Sequence, residues 1–321
     1  MDRADHLNVL VVFSSNVKSG PFIFEIHRAF ITEQIEAIKR WNVTFNVFPI
    51  KGRGINGYLQ SARRLRQYLQ NTDFDLLHAH GGHCGLVGLF QKNLPVVVTY
   101  HGSDINVRTL NLISSLVSLF SSWNIFVSSG LYRRCLVKSK KYSIIPCGVD
   151  LDVFQPIEKA DARRLLGLAP RGRFILFSSA FDVPVKNSSL AREAISRLKK
   201  PAVLMELKNR PRHEVSLLLN ACDLLLMTSI HEGSPQIIKE AMACNCPIVS
   251  TDVGDVREVI RDTPGCFLAE GNASDMAVKI EAVFFLDCRT NGRENIRHLD
   301  NRKISRDVLN IYQNIVAFRR H

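Results

Sequence analysis

Residues 224–250 read LLLMTSIHEGSPQIIKEAMACNCPIVS. The stretch opens on four consecutive apolar residues, Leu224 to Met227, and passes through a polar loop. It resumes at Pro235 with apolar positions at helical spacing and closes on a second short run, Ile248 to Ser250. Strand, loop, helix and strand in that order make a βαβ unit, with parallel strands and the helix laid across one face of the sheet. Ser234 stands where an N-cap is wanted, and Pro235 suits the first helical turn, where a missing N–H costs nothing.

The same alternation extends in both directions. Strands are expected over 9–13, 43–48, 76–79, 96–100, 125–127 and 143–145, and again over 174–178, 203–206, 224–227, 248–250 and 266–268. Helical patterns fall between them near 22–40, 58–70, 85–91, 109–121 and 131–138, then 188–199, 212–220, 235–243, 256–260 and 274–285. Strands alternating with helices imply parallel sheets buried on both faces. The expected fold is α/β: two Rossmann-like, doubly wound parallel-sheet domains facing a cleft. The linker Ile145 to Pro156 has no sustained period and a proline near each end, so it reads as the boundary. The domains are therefore expected at 1–155 and 156–303, with a final helix in 304–321 crossing back to the first.

The 321 residues are 46% hydrophobic and 22% charged, an ordinary globular mix with material for two cores. That excludes disordered, collagenous and disulfide-scaffold classes. A net charge of +12 favours anionic partners. The eight cysteines show no CxxC pair or framework spacing and read as reduced thiols. The start, MDRADHLNVLVVF, is a first strand rather than a signal peptide, so the expected location is cytoplasmic. From Thr109 to Tyr132 there is no charged residue, a length that would span a bilayer. Its many Ser and Asn residues argue instead for a buried helix and a short strand, with Leu110, Ile113, Leu116, Val117 and Phe120 at helical spacing.

Ligands of open parallel sheets bind beyond the carboxyl ends of the strands, so the loops there carry the candidate residues. The amides at the start of the 235–243 helix suit a diphosphate. Glu232 lies just outside that helix, and Glu240 is eight residues on, about two turns along it. Both can accept hydrogen bonds from hydroxyls, one on a sugar and one on a ribose. Taken alone, the E-x7-E spacing reads first as a capped helix with two surface acids.

Glu232 and Gly233, the run Glu240 to Ala243, Pro247 to Val249 and Gly254 together resemble the donor-site motif of the family-4 glycosyltransferases, retaining enzymes of the GT-B fold. Segments His78 to His80, Thr99 to Asp104, Ile145 to Asp150, Asn220 to Asp223 and Thr228-Ser229 resemble the same family in order, across nearly the whole chain. The resemblance implies that Glu232 binds hydroxyls of the donor sugar and Glu240 the nucleotide ribose. Gly233, Ser234, Pro235 and Gln236 would line the sugar–phosphate pocket, and Lys186 would neutralise the β-phosphate. Gly20 would let backbone approach the diphosphate. His101 would face the reacting sugar, with His80 and Asp104 on the acceptor side. Ala180 departs from the pattern, because the family places an arginine there; Lys208, Arg210 or Arg212 from the next loop could supply the second cation, and Arg210 is the one assigned.

The run His78 to Cys84 contains metal-ligand types, but no acidic fourth ligand accompanies it, and acceptor-cleft lining is the preferred reading. Asp73-Phe74-Asp75 and Asp150-Leu151-Asp152 do not follow strands as a metal-binding DxD does. No metal or other cofactor is expected. Arg63, Arg64 and Arg66 form a basic helix face that reads as either a solvated surface or a contact with anionic lipid. No nucleic-acid motif is present. The resemblance implies transfer of a sugar from a nucleoside-diphosphate donor to a glycan or lipid-linked acceptor, in surface-polysaccharide or lipid-linked glycan assembly. A phosphorylase, a sugar-nucleotide epimerase or an inactive nucleotide- or glycan-binding relative, suggested by Ala180, are the alternatives.

Overall fold

The structure is a computed structural model that describes residues 6–16, 22–52 and 54–320. The chain divides after Cys147. The first unit comprises the residues up to that point together with Arg302 onward, and the second is Gly148–Asn301. The division thus falls ahead of the 155/156 boundary read from the linker, because the segment after Cys147 is held by the second unit. Val149 bridges Asp300, Ser216 donates to the Val153 carbonyl at 2.9 Å, and Asn220 binds both Gln155 and Ile157.

The first unit holds β1 (Leu7–Ser14), β2 (Val43–Ile50), β3 (Leu76–His80), β4 (Val96–Tyr100), β5 (Trp123–Phe126) and β6 (Tyr142–Ile144). All pairs are parallel, in the order β2-β1-β3-β4-β5-β6. The second unit holds β7 (Phe174–Phe177), β8 (Val203–Glu206), β9 (Leu224–Met227), β10 (Ile248–Thr251) and β11 (Cys266–Ala269). These are also all parallel, in the order β11-β10-β9-β7-β8. Read from its own first strand, each sheet runs second-first-third-fourth-fifth. Winding therefore reverses between β1 and β3, and between β7 and β9. A parallel sheet opens its ligand crevice at such a reversal, where consecutive loops leave on opposite faces.

Every strand expected from the sequence is present, with ends shifted by at most a few residues. The strands are legible because runs such as Leu224–Met227 are buried on both faces, which demands continuous apolar sequence. The helices depart more. The first pattern is broken at Arg28 into Phe24–His27 and Ala29–Lys39. The short helices Ser103–Asn106, Lys159–Leu165 and Gly292–Asn295 carry too few turns to show a period. The charge-free stretch forms a helix, Arg108–Phe120, and β5, and no helix among the described residues is long and apolar enough to cross a membrane. That helix buries Val117 and packs Ile113 against the core, as its spacing suggested, but exposes Leu116 and Phe120.

The helix Asn301–Arg320 packs within the first unit, where the Tyr312 hydroxyl meets His78 Nδ1 at 2.5 Å. Both side chains are buried. Tyr312→Phe would leave that ring nitrogen unpartnered. A loss of about 1–3 kcal/mol, read as a lower midpoint in urea, is expected, with the secondary structure unchanged by circular dichroism.

Candidate functional site

In the second unit the loops after β7 and β9 meet at the winding reversal. Lys186 ends a 3-10 turn, Pro184–Lys186. The turn is tied to the loop after β9 by Thr228, whose hydroxyl donates to the carbonyls of Lys186 and Asn187 at 2.8 Å, and by the Ile230 amide on Val185. This brings Lys186 Nζ within 2.6 Å of Glu232 Oε1. Burial of both is partial, so the pair stands at the mouth of the loops rather than in the core.

The helix Gln236–Ala243 begins one residue later than expected. Pro235 is its N-cap, with no side-chain capping bond. Ser234 is committed elsewhere: its hydroxyl donates to Asp255 Oδ2 at 2.5 Å and accepts from Lys239 Nζ. Lys239 is fully buried and lies 3.6 Å from the same Asp255 oxygen. A buried ammonium needs such partners, and here they pin the loop 232–235 to the loop after β10. Gly233 and Pro235 are buried. Gln236 donates to the Gly148 carbonyl, and its own Oε1 is buried without a partner among the described residues. Glu240, about one turn along the helix, is 2% exposed at its side chain and accepts from Arg212 Nη2 at 2.5 Å. The Arg212 guanidinium also lies over the Phe154 ring, 4.7 Å from its centroid.

Arg210, the cation assigned from the sequence, is exposed and pairs with Glu214 at 3.1 Å. Lys208 pairs with Asp182. Of the three basic residues in that loop, Arg212 is the one that the structure brings to Glu240. Ala180 is buried. Lys239 and Asp255 were not singled out as site residues, and Arg212 was named only as one of three candidate cations. A lysine within a helix reads as surface, and only the neighbouring loop shows that this one is not.

In the first unit, β3 and β4 end side by side and set His80 against His101, with Nδ1 and Nε2 3.0 Å apart and the rings stacked. His78 lies 4.3 Å from the His80 ring and is held by Tyr312 and by Thr99 Oγ1 at 2.7 Å. Burial, then the other cations nearby, holds all three imidazoles neutral: His78 and His101 are pushed down to about 3, and His80 lies well below its usual value. The Arg28 guanidinium adds to the depression of His80 and His101. Asp104, expected on the acceptor side, is buried, and its carboxylate accepts from the amides of Gly102 at 2.8 Å and His101 at 3.3 Å. Its role in the fold is to close the turn that carries His101. Gly20 lies outside the described residues. Among those described, no group of three His, Cys, Asp or Glu side chains is placed to hold a metal ion.

Two families of sequence models match the chain: "Glycosyl transferases group 1" over residues 186–297 and "Glycosyltransferase Family 4" over residues 18–153. A glycosyltransferase of Bacillus subtilis strain 168, named for teichuronic acid biosynthesis, is 28% identical over 57% of this chain and 54% of its own. The chain thus matches about half the length of that relative. Sucrose-phosphate synthase from Thermosynechococcus elongatus superposes with a TM-score of 0.83 at 17% identity, covering 97% of this chain and 100% of that one. The Anabaena protein HepE, solved with UDP and glucose, gives 0.76 at 16% identity, covering 96% and 100%.

Two measurements test this geometry. Between about pH 6.5 and pH 3 the unfolded chain protonates His78 and His101 while the folded chain does not, so stability falls as pH falls through that window. Each contributes a slope of about 1.4 kcal/mol per pH unit, and His78→Phe should remove one such contribution from urea midpoints followed between pH 6 and 4. At Gly254, φ is +64° and an added Cβ would sit 2.8 Å from the Gly233 carbonyl oxygen and 3.3 Å from Glu232 Cβ. Gly254→Ala should cost about 1–3 kcal/mol in thermal unfolding.

Proposed function

Because the chain belongs to family 4 of the glycosyltransferases and has their GT-B pair of parallel α/β units, we propose that it moves a sugar from a nucleoside diphosphate to an acceptor hydroxyl with retention. The observation that carries this reading is the pairing of Lys186 with Glu232 and of Arg212 with Glu240 around the start of the Gln236–Ala243 helix. Two cations, two carboxylates and a set of helix-start amides at a winding reversal match the parts of a nucleoside-diphosphate sugar. The ammonium and the amides take the diphosphate. Glu232 takes hydroxyls of the sugar, and Glu240, oriented by Arg212, takes the ribose.

Catalysis then rests on charge stabilisation. The bond from the anomeric carbon to the diphosphate oxygen breaks, and Lys186 and the amides hold the charge that develops on that oxygen. A bond to the acceptor oxygen forms on the same face, and the leaving phosphate takes the acceptor's proton. No metal enters the proposal. Within the first unit, the neutral imidazoles of His80 and His101 can each accept or donate a hydrogen bond at neutral pH. The acceptor is assigned as a glycan or lipid-linked glycan hydroxyl.

Thermal-shift titration with UDP, GDP and ADP, followed by nucleotide release from their sugars, tests the assignment. Lys186→Ala and Glu232→Gln should each lower nucleotide release by about 10²–10³-fold. Arg212→Ala should weaken nucleotide binding about tenfold or more, whereas Arg210→Ala leaves it unchanged. Unaltered release in both the Lys186 and Glu232 variants would remove the site. Binding of a nucleotide with no release from any donor would make the chain a non-catalytic relative.

A further inference from the structure

The helix Arg108–Phe120 buries Val117 and packs Ile113 against the core, yet otherwise turns polar side chains inward and large apolar ones outward. Asn111, Ser114, Ser115 and Ser118 are buried, while Leu112, Leu116, Leu119 and Phe120 are exposed at 54%, 48%, 48% and 74%. The buried polar groups are satisfied. Asn111 donates to the Ile105 and Arg134 carbonyls at 2.8 and 2.9 Å, Ser114 to the Asp104 carbonyl at 2.8 Å, and Ser118 to the Ser115 carbonyl at 2.8 Å. Their partners make this orientation stable. The four apolar side chains, at i, i+4, i+7 and i+8, form one stripe facing outward.

The charge around the stripe selects what covers it. Segment 134–137 runs along the edge of the helix marked by Asn111 and Ser115, which accept from the Leu136 amide or are met by the Arg134 carbonyl. Arg133, Arg134, Leu136, Val137 and Lys138 are exposed there. Between Asp104 and Asp150 the sequence has six Lys and Arg residues and no Asp or Glu. Just beyond Phe120, an apolar cleft of about 590 Å³ continues the surface, lined by Pro95, Trp123, Lys141, Ile311, Ile315 and Phe318. Phe318 is 89% exposed.

We propose that this face of the first unit docks on an anionic lipid bilayer. Leucines and phenylalanine would enter the acyl boundary, and the flanking arginines and lysines would meet the headgroups, as an interfacial helix does. A second copy of the chain is disfavoured as the cover, because self-pairing about the stripe brings the same cationic border against itself. The basic face expected from the sequence is less suited: Arg66 donates to the Phe90 carbonyl, Arg64 lies over the Phe48 ring, and the exposed large apolar side chains on their helix are two, Ile55 and Leu59, against four on Arg108–Phe120. The docking face deepens the lipid-linked side of the proposed function and rests on that reading for its purpose. Vesicle binding needs no donor and no turnover, so either can fail alone.

Flotation of the full chain with vesicles of phosphatidylglycerol mixed with phosphatidylcholine, against phosphatidylcholine alone, is the test. The chain should float with the anionic vesicles and not with the neutral ones, and less so at high salt. Leu116→Ser with Phe120→Ser should lower binding about tenfold or more, and Lys138→Glu about fivefold or more, with thermal melting unchanged in both. Arg63→Glu with Arg64→Glu should leave binding within a small factor of the parent chain. The proposal is overturned if the parent chain ignores anionic vesicles, or if the Leu116/Phe120 variant binds them as well as the parent. It is also overturned if sedimentation velocity shows a dimer that the same variant breaks while vesicles are ignored.

Discussion

Each sheet reverses its winding beside its own first strand, and the candidate chemistry depends on that reversal. Between β7 and β9 it sends two successive loops away from each other and leaves a crevice at the carboxyl ends of the strands. Lys186 arrives from one loop and Glu232 from the other, 46 residues apart in sequence and 2.6 Å apart in space. In the first unit the reversal lies between β1 and β3, one strand away from the pair formed where His80 ends β3 and His101 follows β4.

What keeps the second crevice in shape is a buried ion network. Lys239 is fully buried, and its partners Ser234 and Asp255 belong to different loops. Such groups add little net stability over an apolar core, but removing one partner leaves an unpaired charge and is costly. The network therefore acts on position more than on stability. It fixes the loop that ends in Glu232 to the loop that carries Gly254, and Gly254 has no room for a side chain.

The outer pairs work differently. Lys186–Glu232 and Arg212–Glu240 keep some solvent access on their cations, so each cation is already matched by a carboxylate. Asn220 and Asp223, which share the family's sequence pattern, serve the fold instead. Asn220 holds the incoming segment at Gln155 and Ile157, and Asp223 binds Arg163 and the Phe174 amide.

The sequence by itself determined the eleven strands, because a strand buried on both faces must be apolar throughout. It also marked Lys186, Glu232 and Glu240 as candidates through the family resemblance, whose motifs are local in sequence. Three things needed the tertiary structure. The choice of Arg212 over Arg210 depends on the direction of a helix start, which spacing does not encode. Ser234 looked like a cap because its competing partners, Lys239 and Asp255, come from elsewhere in the chain. The apolar period of the helix at 108–120 misplaced Leu116 and Phe120, since the hydrogen-bond partners that let Asn111, Ser114 and Ser115 turn inward lie on segments 104–105 and 134–136. Periodicity reports the preference of a helix surrounded by apolar neighbours; only the folded chain shows where polar neighbours reverse it.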